Sequence, residues 1–190
     1  MRTNLIRGGL LALALGASGS AAAAGFSYNY IEGGFGEIDD GEVLFANVGY
    51  DIQKNFGLAG GLYIGDTDPG FDVTALEFGG VFHQPIKSNL DFNASLKLLH
   101  VEVDGGPAWA NGRFDESDTG LIASAGLRFR VQPKLELEGD LKLSSNDLID
   151  DGFGAQAALR YYLAPKVSVA GGLAIDTELD GLFVSLRGDF

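Results

Sequence analysis

Downstream of Gly25 the chain alternates apolar and polar side chains over runs of roughly ten residues. One run places Leu121, Ala123, Ala125, Leu127, Phe129 and Val131 on one face, and Ile122, Ser124, Gly126, Arg128 and Arg130 on the other. The next sets Leu135, Leu137, Gly139, Leu141 and Leu143 against Glu136, Glu138, Asp140, Lys142 and Ser144. A period of two is that of a β-strand. Between the runs, four turns share one design: Ile52-Gln-Lys-Asn-Phe56, Ile86-Lys-Ser-Asn-Leu90, Val131-Gln-Pro-Lys-Leu135 and Leu163-Ala-Pro-Lys-Val167. Cutting there leaves segments 25–52, 56–86, 90–131, 135–163 and 167–190. Each is long enough for two strands of about 9–11 residues around a Gly- and Asp-rich middle. The pattern predicts ten antiparallel strands in an up-and-down order, with eight as the alternative if one strand is a folded-over loop.

Alternation fits a soluble sandwich with an apolar core as well as a barrel with an apolar exterior. Three features favour the barrel. Short and long connections alternate strictly along the chain. Aromatic residues (Phe26, Tyr28, Tyr30, Tyr50, Phe56, Phe82, Tyr161 and Tyr162) fall near predicted strand ends, where interfacial girdles would lie. The last strand, Leu182-Phe-Val-Ser-Leu-Arg-Gly-Asp-Phe190, alternates to a terminal Phe. That strand resembles the closing signal of bacterial outer-membrane barrels, which the assembly machinery recognises. In size and style the chain resembles the small barrels of the OmpX and OmpA transmembrane-domain class, with two more strands. Its opening, Tyr28-Asn-Tyr30-Ile-Glu32-Gly-Gly-Phe35, is similar to that of a family of small gammaproteobacterial outer-membrane barrels. The expected fold class is therefore an all-β transmembrane antiparallel barrel with short periplasmic turns and longer acidic external loops.

The N-terminus agrees with export. Arg2 and Arg7 precede a short apolar run, Gly8 to Ala17, and Ala22-Ala23-Ala24 offers a cleavage site before Gly25. Residues 1–24 are expected to be a cleaved secretory signal peptide and 25–190 a single barrel domain in the bacterial outer membrane. The apolar run is too short to span a bilayer. The chain has no cysteine, which excludes disulfides and thiolate metal sites. Two of the 13 Lys and Arg lie in the first 24 residues, leaving 11 against 26 acids, a net of −15. That balance opposes nucleic-acid binding.

Charge is distributed by position. The predicted external loops hold 17 of the 26 acids against one base, Arg113, while the opposite rim carries Lys54, Lys87, Lys134 and Lys166. Those acids keep the loops solvated and repel neighbours; Ca²⁺ or Mg²⁺ bridging to lipopolysaccharide is the alternative use. Beyond loop Ca²⁺ or Mg²⁺, no cofactor is expected. Trp109 and Arg113, on the longest loop, are candidate contacts for an external partner. Inward positions collect charges of both signs: Glu77, Lys97, Glu102, Arg128, Arg130, Glu136, Glu138, Asp140, Lys142, Arg160 and Arg187. Antiparallel register across the third turn sets Arg130 opposite Glu136 and Arg128 opposite Glu138. Small inward residues such as Gly61, Gly126 and Gly172 leave room for these long side chains. The expectation is a lumen largely filled by ion pairs, because isolated charges there would be costly.

Catalysis finds little footing. The histidines are His83 and His100; there is no Gly-x-Ser-x-Gly elbow and no His-x-x-x-His zinc pair. A non-enzymatic envelope or surface-interaction role is expected, with outer-membrane lipid, lipopolysaccharide and the assembly machinery as partners. A narrow channel for small solutes is the first alternative, and a lipid-modifying enzyme using His100 the second.

Overall fold

The structure, a computed structural model, describes residues 25–38, 41–67, 70–105, 114–146, 148, 152–175 and 180–190. The leader at 1–24 and the loop carrying Trp109 and Arg113 lie outside these residues. Ten strands follow in chain order: β1 (Tyr30–Ile38), β2 (Gly41–Gln53), β3 (Phe56–Thr67), β4 (Phe71–Lys87), β5 (Leu90–Gly105), β6 (Phe114–Gln132), β7 (Leu135–Ser145), β8 (Phe153–Ala164), β9 (Val167–Ile175) and β10 (Asp180–Asp189). Each pairs antiparallel with its sequence neighbours, and β1 pairs with β10 to close the barrel. Closure removes every free edge, so all strands satisfy their backbone groups without water. The count is ten, not eight.

The four repeated turns are built alike. Each tightens on two residues, Lys54-Asn55, Ser88-Asn89, Pro133-Lys134 and Pro165-Lys166. Beside each, the register slips by one residue, between Asp51 and Gln53, Pro85 and Lys87, Arg130 and Gln132, and Tyr162 and Ala164. A bulge of this kind adds local twist at a barrel rim. It also lets each hairpin keep its inside-outside alternation: Arg130 still opposes Glu136, and Arg128 opposes Glu138.

Burial is inverted relative to a soluble protein. Leu137, Leu141 and Leu143 on β7 are 47%, 53% and 59% exposed, whereas Glu136 between them and the turn is fully buried. Large apolar residues face outward on every strand, Ile31, Leu44, Leu58, Phe78, Leu98 and Leu127 among them. An apolar exterior around a charged interior is stable only in lipid. Phe56 and Phe82 pack edge to face on this exterior at 5.4 Å, and Tyr50 and Tyr161 are exposed there. The girdle expectation fails for Phe26, Tyr28, Tyr30 and Tyr162: Tyr28 and Tyr162 are 8% and 9% exposed, and all four contact luminal charged side chains. Tyr162 shares the parity of Arg160 on β8, which places it inside.

Strands β4, β5 and β6 are the longest, at 17, 16 and 19 residues, and carry the sheet beyond its apolar band. Above that band the outward positions turn polar, with Thr74, His100, Glu102, Asp104, Asp115 and Thr119.

Candidate functional site: the lumen

The periplasmic half of the lumen is filled by charge. Glu136 has no solvent exposure and accepts from Arg128 Nε at 2.7 Å, from Arg130 Nη2 at 3.2 Å and from the Tyr162 hydroxyl at 3.2 Å. Arg160, on the neighbouring strand, donates through Nε to Glu138 at 2.8 Å and through Nη2 to Glu32 at 2.9 Å. Ser185 also donates to Glu32, and Arg187 pairs with Asp189 at 2.8 Å. Arginine suits this layer because its planar fork spans two carboxylates without losing charge. In a water-poor interior each charge depends on its partner.

Residues 25–29 turn into the same mouth and cap the layer. The Ser27 carbonyl accepts from Arg128 Nη1 at 2.9 Å and from Arg187 Nη2. Phe26 lies against the guanidinium groups of Arg128 and Arg130, at 5.1 and 4.7 Å. Tyr28 stacks on His83 at 3.8 Å and donates its hydroxyl to Asp91 at 3.0 Å. His83 in turn meets Asp51 at 2.9 Å, and the Asp51 amide donates to Asn29 Oδ1 at 2.7 Å. Phe190 closes the ring with its amide on the Asn29 carbonyl at 3.0 Å. The N-terminal segment is thus tied to the C-terminus and to several strands of the wall.

The external half is different. A cavity of about 350 Å³ rises from Tyr28, Asp51 and Arg128 at its floor, past Glu32 and Glu138, to Phe45 and Phe183 in this half. Lys97 bonds Glu77 at 2.7 Å, and Tyr63 donates toward Glu77 and Asn47, both at 3.2 Å. Ser95 and Ser124 bond each other at 2.7 Å, and Lys142 donates to Gln156 at 3.0 Å. Asp140 faces the cavity and accepts no hydrogen bond among the described residues. The small inward residues serve neighbours other than the expected arginines. The Phe45 ring lies over Gly34, the Phe183 ring over Gly172, and the Asp140 carboxylate over Gly126, where any β-carbon would collide.

Of the candidate lumen residues, the structure gathers Arg128, Arg130, Glu136, Glu138, Arg160 and Arg187 in the lower layer. It places Glu77, Lys97, Asp140 and Lys142 around the cavity. Glu102 corrects the sequence expectation. It has the parity of Leu96 and Leu98, not of Lys97, so it lies on the outer face, with a side chain 57% exposed and 3.3 Å from His100. His100 Nδ1 also lies 2.8 Å from the Thr119 hydroxyl, just above the apolar band. Sequence reasoning misses Glu32: it is the one acid in an aromatic and glycine-rich stretch, though its parity with Tyr30 marks it as inward. On the outer face, Glu37, Glu42, Asp66, Asp72, Asp104 and Asp115 stand in successive cross-strand register, one on each of β1 to β6. Like charges directly opposite one another repel.

Known proteins share this architecture. The KdgM porin superposes with a TM-score of 0.53 at 9% identity, covering 85% of this chain and 99% of that one. The NanC porin superposes at 0.52 and 8% identity over the same shares. At such identities the likeness concerns the fold alone. No curated protein matches the sequence. The family model for the outer membrane protein beta-barrel domain matches residues 9–181. With a closed ten-stranded barrel, an apolar exterior and a charged lumen, this chain belongs to the outer membrane protein beta-barrel family.

Proposed function

We propose that this protein is a structural or surface-interaction barrel of the outer membrane whose lumen is blocked, and that it is not an enzyme. The observation that carries this reading is the buried layer of Arg128, Arg160 and Arg187 with Glu32, Glu136 and Glu138, capped by the Ser27 carbonyl. A layer so fully paired has no wide water path through it and resists opening, because separating any pair strands a charge in low dielectric. Outer-membrane lipid and lipopolysaccharide surround the apolar wall in this reading. A cleaved leader at 1–24 delivers the chain, and Phe190 presents the final strand to the assembly machinery. Trp109 and Arg113 are the proposed contacts for an external partner. Planar-bilayer recording tests the closed lumen: uniform conductance steps from the pure protein would overturn it.

Two alternatives each have one observation in their favour. The cavity beside the ion-pair layer favours a narrow channel for small solutes, with residues 25–29 as a removable obstruction at the periplasmic mouth. The contact of His100 with Thr119 and Glu102, on the outer face just beyond the apolar band, favours a lipid-modifying enzyme. That site lacks an evident oxyanion donor, since the backbone around it is engaged in the β5–β6 ladder. Mass spectrometry of lipid A after deletion and overexpression decides the enzyme: an unchanged lipid dismisses it.

A further inference from the structure

The unfilled external half of the lumen is built as a site. Its volume, about 350 Å³, lies within the roughly 300–1,000 Å³ usual for small-molecule pockets. The periplasmic end is stoppered by Tyr28 on His83 and by the arginine layer, so among the described residues only the external end of the cavity is free. Its wall combines two kinds of surface. Amides and hydroxyls of Asn47, Asn93, Ser95, Ser124 and Gln156 face the space, and Asn93 and the Asn47 amide nitrogen make no hydrogen bond among the described residues. Above them stand the rings of Phe45, Tyr63 and Phe183, with Phe45 at 6.1 Å from each of the other two.

Charge narrows the choice of ligand. Five carboxylates and five cationic side chains line the cavity, so it offers no net attraction to an ion of either sign. Asp140, which accepts no hydrogen bond among the described residues, repels anions, while Lys97 and Lys142 nearby oppose a cation. A carboxylate that no protein group satisfies is best met by paired hydroxyl donors. Aromatic faces suit the C–H face of a sugar ring, and amides supply both donors and acceptors for its remaining hydroxyls.

We propose that the external half of the lumen is a binding cup for a neutral polyhydroxylated solute of hexose size, entered from outside, with Asp140 as its anchoring acceptor. The proposal rests on the closed periplasmic end described above and goes beyond it. It gives a barrel that does not conduct a ligand to hold.

The test uses the full barrel folded in a zwitterionic detergent that carries no sugar headgroup. Glucose is the probe, read by saturation-transfer NMR and by calorimetric titration, with glucuronate and glucosamine as comparators. Glucose is expected to bind, and both charged analogues to bind more weakly. Asp140→Asn keeps the side-chain shape and should weaken glucose about tenfold, the loss of one charge-assisted hydrogen bond. Ser124→Phe should fill the cavity and abolish binding while the heat-modifiable gel shift of a closed barrel persists. Absence of glucose binding to the unaltered protein overturns the cup. So does tighter binding of either charged analogue, or glucose binding that Asp140→Asn leaves unchanged. Bilayer recording separates the two ideas: a conducting barrel that binds glucose refutes the closed lumen and keeps the cup, and a closed barrel blind to glucose does the reverse.

Discussion

The two halves of the lumen are made from the same ten strands yet solve the burial of polar groups in opposite ways. In the periplasmic half, arginines bridge pairs of carboxylates and the N-terminal segment covers what is left, so nearly every charge has a partner. In the external half, shorter side chains and glycines leave open volume, and an acid such as Asp140 faces it with no donor among the described residues. A luminal charge can therefore be made tolerable by pairing or by hydration. Which applies depends on whether side chains long enough to meet stand at that level. Rigidity follows the first solution and ligand capacity the second.

The contrast between the halves is most vulnerable at Arg160. Among the described residues, Arg160→Ala leaves Glu32 with only the Ser185 hydroxyl and Glu138 with only the longer contact to Arg128, at 3.5 Å, and a loss of about 3–5 kcal/mol is expected in urea unfolding followed by gel shift. Next comes Arg128→Ala, which removes one of three donors from Glu136 and should cost about 3 kcal/mol. Combining it with Glu136→Gln should recover most of that loss. Equal losses in the single and double variants would show that the pairing contributes nothing. In the external half, Lys97→Met leaves Glu77 beside hydrated space and still bonded by Tyr63, so about 1–2 kcal/mol is expected, clearly less than at Arg160. A larger loss there would erase the contrast.

Two further variants probe its boundaries. Tyr28→Ala removes the stack on His83, the bond to Asp91 and the ring that lies 5.0 Å under the Arg128 guanidinium, but leaves the arginine–carboxylate pairs themselves in place. If the segment 25–29 is the stopper of the cavity, brief conductance events should replace silence in bilayer recordings. If the layer alone blocks the path, the variant stays silent. The smallest effect lies outside the lumen. Asp104 stands between Asp72 and Asp115 in the row of outward carboxylates, and Asp104→Asn should stabilise the barrel by a few tenths of a kcal/mol at low salt. The gain should vanish at high ionic strength, where surface repulsion is screened.

Much of this architecture is legible in the chain itself. The four turns mark the hairpins, and alternation gives the facing of Arg128, Arg130, Glu136 and Glu138, because both depend on residues close in the chain. Glu102 is misplaced when grouped with Lys97, since five positions along a strand reverse the facing. Phe26, Tyr28, Tyr30 and Tyr162 pass for girdle residues because an aromatic at a strand end suits either a lipid interface or a luminal cap. Only their neighbours decide between the two.

The strands, their order, the inside and outside of each, and the sidedness of charge are all properties of the linear chain, since they follow from a two-residue period and from local turn chemistry. Which side chains meet across the lumen is a property of the closed barrel. Arg160 reaches Glu32 over 128 positions of chain, and Arg187 reaches the Ser27 carbonyl over 160. Such contacts depend on the barrel's circumference and on the stagger of its strands, and those are set only when β1 closes on β10.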